Sequence, residues 1–283
     1  MNQRPPAYTP AIHWILRIGA FMCFVGHGAF GVITKPAWVP FFHALGIRDD
    51  AIAFRLMPIV GTNDIIMGIF ALLSPNRFVL TFMTCWAVFT AFLRPMAGQG
   101  YWEVLERAGN YGIPFAFLVM SGWARSWRGW FEPIVPRPSP EPDPARMAKV
   151  ATALRVATSL LLIGHAGYGA FMHKQMLANQ YAAIGLSGFP GGLAALVSSV
   201  GWFEMLLGLA VLVAPMPPLL IFIFVWKVAT EMLYPVSGDP IWEWVERGGS
   251  YAAPLALFVL MSRSTVPRLV GGGKRIAVGE GAA

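Results

Sequence analysis

Two histidines lie in matching glycine-rich runs, GHGAFG around His27 and GHAGYG around His165. Two carboxylates also recur in a shared setting, Asp64 between Gly61 and Gly68, and Glu204 between Gly201 and Gly208. Imidazole and carboxylate are the groups that most readily take and return protons near neutral pH. A third set exists in one place only: Lys227 and Glu231 are four residues apart, where the matching positions hold Ala87 and Ala91. These residues suggest a site where protonation and ligand charge are balanced. His165 would hydrogen-bond a carbonyl oxygen while Glu204 exchanges a proton with it, and Thr90 and Thr230 could add hydroxyls. On this reading the C-terminal half is specialised, and the half with His27 and Asp64 is closer to scaffold. The plainer alternative makes the histidines packing residues and Lys227–Glu231 a self-neutralising pair.

The elements that must position these groups are apolar. Apolar residues make up 56% of the chain and charged ones 12%, whereas a soluble domain carries about a quarter charged residues. Stretches long enough to cross a bilayer recur throughout, so the expected class is an all-α membrane protein. The first apolar stretch, from Ala11, is too long for the core of a secretion signal and is read as a retained span. Cys23 and Cys85 fall in different predicted spans and offer neither a disulfide framework nor a CxxC motif. No metal-spaced cluster, phosphate-binding loop, dinucleotide fingerprint or nucleophile elbow is present. No basic stripe interleaved with aromatics points to nucleic acid.

The chain repeats itself. LRIGAFMCFVGHGAFG (16–31) aligns with LRVATSLLLIGHAGYG (154–169), and the matches drift in offset only from 138 to 140. The longest shared phrase is WEVLERAGNYGIP against WEWVERGGSYAAP. Eight transmembrane helices are expected, near 11–34, 51–74, 77–94 and 108–124, then 151–172, 191–214, 217–234 and 248–264. Four spans per unit would make the halves parallel, related by a pseudo-twofold along the membrane normal. The units are an N-terminal four-helix repeat over 1–130, a proline-rich linker over 131–148, a second repeat over 149–270 and a tail over 271–283. The face carrying the termini and linker holds thirteen Lys/Arg against four acids, and the opposite loops seven against seven. The positive-inside rule then puts both termini in the cytoplasm of a cell (inner) membrane.

The repeated phrase falls before each fourth span. In a helix Glu103 and Arg107 are four apart, as are Glu243 and Arg247, the favourable order for an ion pair. Trp102 and Trp242 suit an interfacial belt, and the apolar part begins at Tyr111 and Tyr251. The expected role is an interfacial helix start. The sharper alternative is an outer vestibule in which Glu103, Glu106, Glu243 and Glu246 face a pathway. Arg17 and Arg155 lie ten residues before the histidines, about 15 Å shallower at the helical rise. They are carried as ligand contacts or as side chains that snorkel to the surface.

Arg17 with Gly26, Arg155 with Gly164, Asp64 with Gly68 and Glu204 with Gly208 form a pattern. It resembles that of the DoxX-like family of small four-helix membrane proteins, here as two fused units. Asp64 stands where that family has Glu, and the doubled histidine and W-E-x-x-E-R-x-G-x-Y phrase go beyond its pattern. The resemblance implies a membrane partner of a redox system, with a quinone or similar amphiphile bound between helices and a soluble or membrane oxidoreductase as electron donor. A haem b held jointly by His27 and His165 is the disfavoured variant. A proton-coupled transporter and a structural assembly subunit are the two alternatives from other classes.

Overall fold

The computed structural model describes residues 8–135 and 143–264, and within them all regular structure is helical. The middle of the proline-rich linker and the tail from Gly271 lie outside the described residues. Helix α1 (Tyr8–Val32) leads through a 3₁₀ turn and α2 (Val39–Ala44) into α3 (Asp50–Leu73), α4 (Arg77–Met96), α5 (Trp102–Glu106) and α6 (Ala108–Ser121). Then come α7 (Pro144–Ala170), α8 (Gln175–Ala183), α9 (Gly192–Val213), α10 (Pro217–Glu231), α11 (Leu233–Val236), α12 (Trp242–Val245) and α13 (Gly248–Ser264). Side chains cap several starts: Asp49 accepts from Ala51 N at 2.8 Å and Asn76 from Val79 N at 2.9 Å.

Six segments are long and apolar enough to cross a membrane: 10–32, 50–73, 77–96, 144–170, 192–213 and 217–236. Large apolar side chains such as Leu206 (65% exposed) and Val213 (77%) face outward from them, as a lipid-facing surface requires. The expected spans at 108–124 and 248–264 are α6 and α13, only 14 and 17 residues long. At the helical rise α6 covers about 21 Å, short of the ~30 Å hydrocarbon core. Each is the longer piece of a broken helix, interrupted at Arg107 after α5 and at Glu246–Arg247 after α12.

Close glycine contacts set the packing. Helix α1 crosses α3 so tightly that a Cβ on Gly61 would lie 2.4 Å from Gly28 O, and α7 crosses α9 with Gly201 against Ala170 N at the same distance. That contact fixes the rotation of α3 and α9, so Asp64 and Glu204 turn inward and are each 1% exposed. Helices α6 and α13 meet at Gly109 and Gly249, whose backbones touch. Each also packs across the halves: α6 against α7, and α13 against α1.

Candidate functional site

Two histidine–carboxylate pairs result. His27 Nδ1 is 2.8 Å from Asp64 Oδ2, and His165 Nδ1 contacts Glu204 Oε2. Their surroundings differ. Glu204 Oε1 accepts from Trp226 Nε1 at 2.9 Å and lies 3.7 Å from Lys227 Nζ. Lys227 in turn is 2.5 Å from Glu231, so every charge in this pair of helices is answered by another. In the first half the carboxylate is one methylene shorter. Asp64 Oδ1 and the indole Nε1 of Trp86, which stands where the second half has Trp226, are both buried without a hydrogen-bond partner.

Those two atoms belong to residues lining a cavity of about 90 Å³, together with His27, Thr90, Arg94 and Arg107. Ala87 and Ala91 form part of its wall, and they occupy the positions that Lys227 and Glu231 fill in the other half. The cavity is therefore the space that an ion pair would otherwise occupy. Phe89 and Leu45, 42% and 47% exposed, belong to the lining and give it an apolar mouth. His27 is held against Trp38, ring centroids 4.5 Å apart. A buried polar atom without a partner costs about 1–3 kcal/mol. Two of them on one cavity therefore favour anything that supplies a donor to Asp64 and an acceptor to Trp86. A water needs about 10–15 Å³ of such space, so about 90 Å³ suits roughly six to nine waters or the polar head of a flat molecule.

Beside this cavity lies an ionic core built from the repeated phrase. Arg107 Nη1 donates to Glu246 Oε1 at 2.8 Å, and Arg107 Nε is 3.0 Å from Glu106. Arg247 Nη1 donates to Glu243 Oε2 at 2.8 Å, while its Nε lies 2.8 Å from Glu231 and 3.8 Å from Glu106. Its Nη2 donates to the Tyr234 hydroxyl at 2.7 Å. Glu103 is reached by Lys174, by Arg94 at 3.3 Å and by the Tyr168 hydroxyl at 2.6 Å, and Glu243 by Lys35 at 2.5 Å. With Glu204 and Lys227, six acids thus face six bases, so the core is neutral when His165 is neutral. Burial alone would raise the Glu106 carboxyl, but the Arg107 and Arg247 guanidiniums outweigh it and hold it down to about 2. Burial opposes ionisation of Glu246 too, and the same two arginines push it lower still. The opposite burial penalty on Arg107 is overcome by Glu246 and Glu106, which raise it.

This core revises the expected roles of the phrase. Glu103, Glu106, Glu243 and Glu246 are 3–8% exposed, so they form neither an interfacial helix start nor an open vestibule. The reason is Gly26 and Gly164: a Cβ on Gly164 would lie 2.0 Å from Glu106 N, and one on Gly26 2.2 Å from Glu246 N. Helices α5 and α12 are thereby drawn inside the bundle. The i,i+4 ion pair forms for Glu243–Arg247, whereas Glu103 turns to Lys174 and Arg94. Trp102 stacks on Phe171 with centroids 5.2 Å apart, and Trp242 packs beside Phe30 and Trp38. Tyr111 and Tyr251 donate back to Val104 O and Trp244 O.

Other candidates lie elsewhere. Arg17 donates to Leu73 O at 3.1 Å and Arg155 to Val213 O at 3.3 Å. They cap the ends of α3 and α9 and touch neither histidine pair. Thr230 donates to its own helix at Trp226 O, and Thr90, which also bonds back within its helix, lines the cavity. Sequence reasoning passed over Lys35, Arg94, Lys174, Tyr168, Tyr234 and the indoles Trp86 and Trp226. Lys35 with Lys174, and Trp86 with Trp226, fall in the repeat register, which was signal enough to mark them. Among the described residues no group of three or more His, Cys, Asp or Glu could hold a metal ion. Compared with known proteins, the chain matches no family model, no curated protein and no solved structure.

Proposed function

We propose that the chain is a multi-pass membrane protein of two parallel four-helix repeats, DoxX-like in type. In this reading it binds a quinone or similar small amphiphile at His27, Asp64 and Trp86 as part of a redox system. Contacts recurring at matched positions support the repeat: His27–Asp64 and His165–Glu204, Arg17–Leu73 O and Arg155–Val213 O, Gly26 on Glu246 and Gly164 on Glu106. The excess of basic residues on one face supports termini in the cytoplasm of the inner membrane. The observation that carries the ligand is the pair of unpartnered atoms, Asp64 Oδ1 and Trp86 Nε1, on a cavity with an apolar mouth. The binding role in this reading falls not to the C-terminal half, whose charges satisfy one another, but to the half with His27 and Asp64, which the sequence pattern alone makes closer to scaffold.

The residues fit a quinone head. The Trp86 indole N–H would donate to a carbonyl oxygen, and Asp64 Oδ1 would accept from the hydroxyl of the reduced form. His27, joined to Asp64 through Nδ1, would hold or release the accompanying proton. The ligand when bound supplies two-electron redox chemistry, and electrons would come from an oxidoreductase partner. Purified protein titrated with a short-chain ubiquinone analogue should quench the Trp86 and Trp38 fluorescence saturably, and Asp64→Asn with Trp86→Phe should weaken this at least tenfold. Equal quenching by wild type and double variant would remove the assignment.

The transporter alternative draws on the two broken helices, since discontinuous helices mark many carrier sites. Substrate-dependent proton flux in proteoliposomes, without quinone binding, would favour it. The paired state of every carboxylate at those breaks weighs for the binding role.

A further inference from the structure

On the side of the bundle formed by α4, α6 and α7 runs a groove of about 710 Å³. It is lined by Thr84 of α4, Gly112 and Phe115 of α6, and Ala153 and Ala157 of α7. Lys149, in the second turn of α7, also lines it. We propose that this groove holds one acyl chain of an anionic phospholipid, with Lys149 under the headgroup. The site is separate from the His27 cavity and does not depend on what binds there.

Length, charge and the repeat argue for this occupant. From Lys149 to Leu160, which also lines the groove, α7 rises about 16 Å. That is one leaflet of a ~30 Å hydrocarbon core, so the groove matches one chain of one leaflet and stops at headgroup depth. Lys149 is exposed and makes no ion pair among the described residues. Three residues before it on α7 is Arg146, whose guanidinium packs at Gly122, next in sequence to the exposed Trp123. Basic and indole side chains together are the composition of an anionic membrane surface contact. The duplicated sequence also offers an internal comparison. Positions matching Thr152, Ala153 and Thr84 hold Trp14, Ile15 and Phe224, side chains that bring bulk where this side leaves room. The two faces thus differ, with Thr152, Ala153 and Thr84 here standing near an exposed lysine.

The test is native mass spectrometry of the purified chain after addition of phosphatidylglycerol or phosphatidylcholine at equal concentration. One phosphatidylglycerol should remain bound, with a preference of about fivefold over phosphatidylcholine, the factor expected of a single lysine at the headgroup. Lys149→Gln should keep a bound lipid and lose the preference. Thr152→Trp, which installs the side chain found at the matched position, should lose the lipid while the protein stays monodisperse. Thr84→Phe serves as an independent filling variant. Equal retention of both lipids by the wild type would overturn the site. So would lipid binding unchanged in Thr84→Phe and Thr152→Trp, or a co-purifying protein segment in place of lipid.

Discussion

The Arg107 guanidinium ends 2.8 Å from the Glu246 carboxylate, joining parts of the chain 139 residues apart. Neither side chain has a solvent-exposed alternative, since both are under 10% exposed. The bond therefore belongs to the contact between halves and not to either one.

Replacing Arg107 by Met should leave Glu106 and Glu246 sharing only Arg247, 3.8 Å and 3.2 Å away. Breaking one partner of a buried pair costs about 3–5 kcal/mol, and thermal unfolding in detergent should fall accordingly. Adding Glu246→Gln to Arg107→Met should recover part of the loss, because the charges are removed together. Strictly additive losses would show that the two residues act separately.

Acid should open the same core. Glu106 is held at about 2, well below a free carboxyl, with Glu246 and Glu103 also lowered. A carboxyl whose folded value is depressed contributes stability above its unfolded value, and that contribution is lost as pH falls through the folded one. Stability should hold from neutrality to about pH 5, then decline towards pH 2, by roughly 3 kcal/mol for Glu106 alone. The unfolding midpoint of Glu106→Gln, lower at neutral pH, should lose its share of that slope. An unchanged acid slope in this variant would contradict the assignment.

Asp64→Glu restores the missing methylene. Its carboxylate should reach Trp86 as Glu204 reaches Trp226, satisfying both orphaned atoms. Stability should rise by about 1–3 kcal/mol while binding of a quinone analogue weakens. A variant that binds more tightly would show that the unpartnered atoms are not the ligand's anchors.

Ala87→Leu should fill the cavity beside His27. Binding should disappear with a change in stability of no more than about 1–3 kcal/mol, the usual range for overpacking. Ligand affinity that survives the filled wall would place the ligand elsewhere.

Gly164→Ala should be far more damaging than an ordinary surface change, because its Cβ would fall 2.0 Å from Glu106 N. Gly188→Ala, with open space around it, is the control and should stay within about 0.5 kcal/mol of wild type. Comparable expression and midpoint for both variants would deny that α5 is pressed into the bundle.

The periodicity and the repeat made most of the fold legible. Helices α1, α3, α4, α7 and α9 begin and end within a few residues of the expected spans, α7 starting earlier, and the glycines beside Asp64 and Glu204 do face a neighbouring helix. Two things were hidden. Nothing in W-E-x-x-E-R distinguishes a surface helix start from a buried one; the decision rests with Gly26 and Gly164, distant in sequence, which let α5 and α12 enter. The assignment of the working half was also hidden. Extra ionisable residues at 227 and 231 suggest added chemistry, but four residues apart on one helix they answer each other, and the alanines at the matched positions leave the usable space.

Synthesis proceeds from the N-terminus, so Glu103 and Arg107 reach the bilayer long before Lys174 and Glu246 exist. Until the later segments insert, Arg107 has Glu106 at 3.0 Å but lacks Glu246, and Glu103 has Arg94 but lacks Lys174. Completion of the earlier bundle is thus delayed until the last bundle arrives, and a chain severed at the linker would yield two fragments that each need the other.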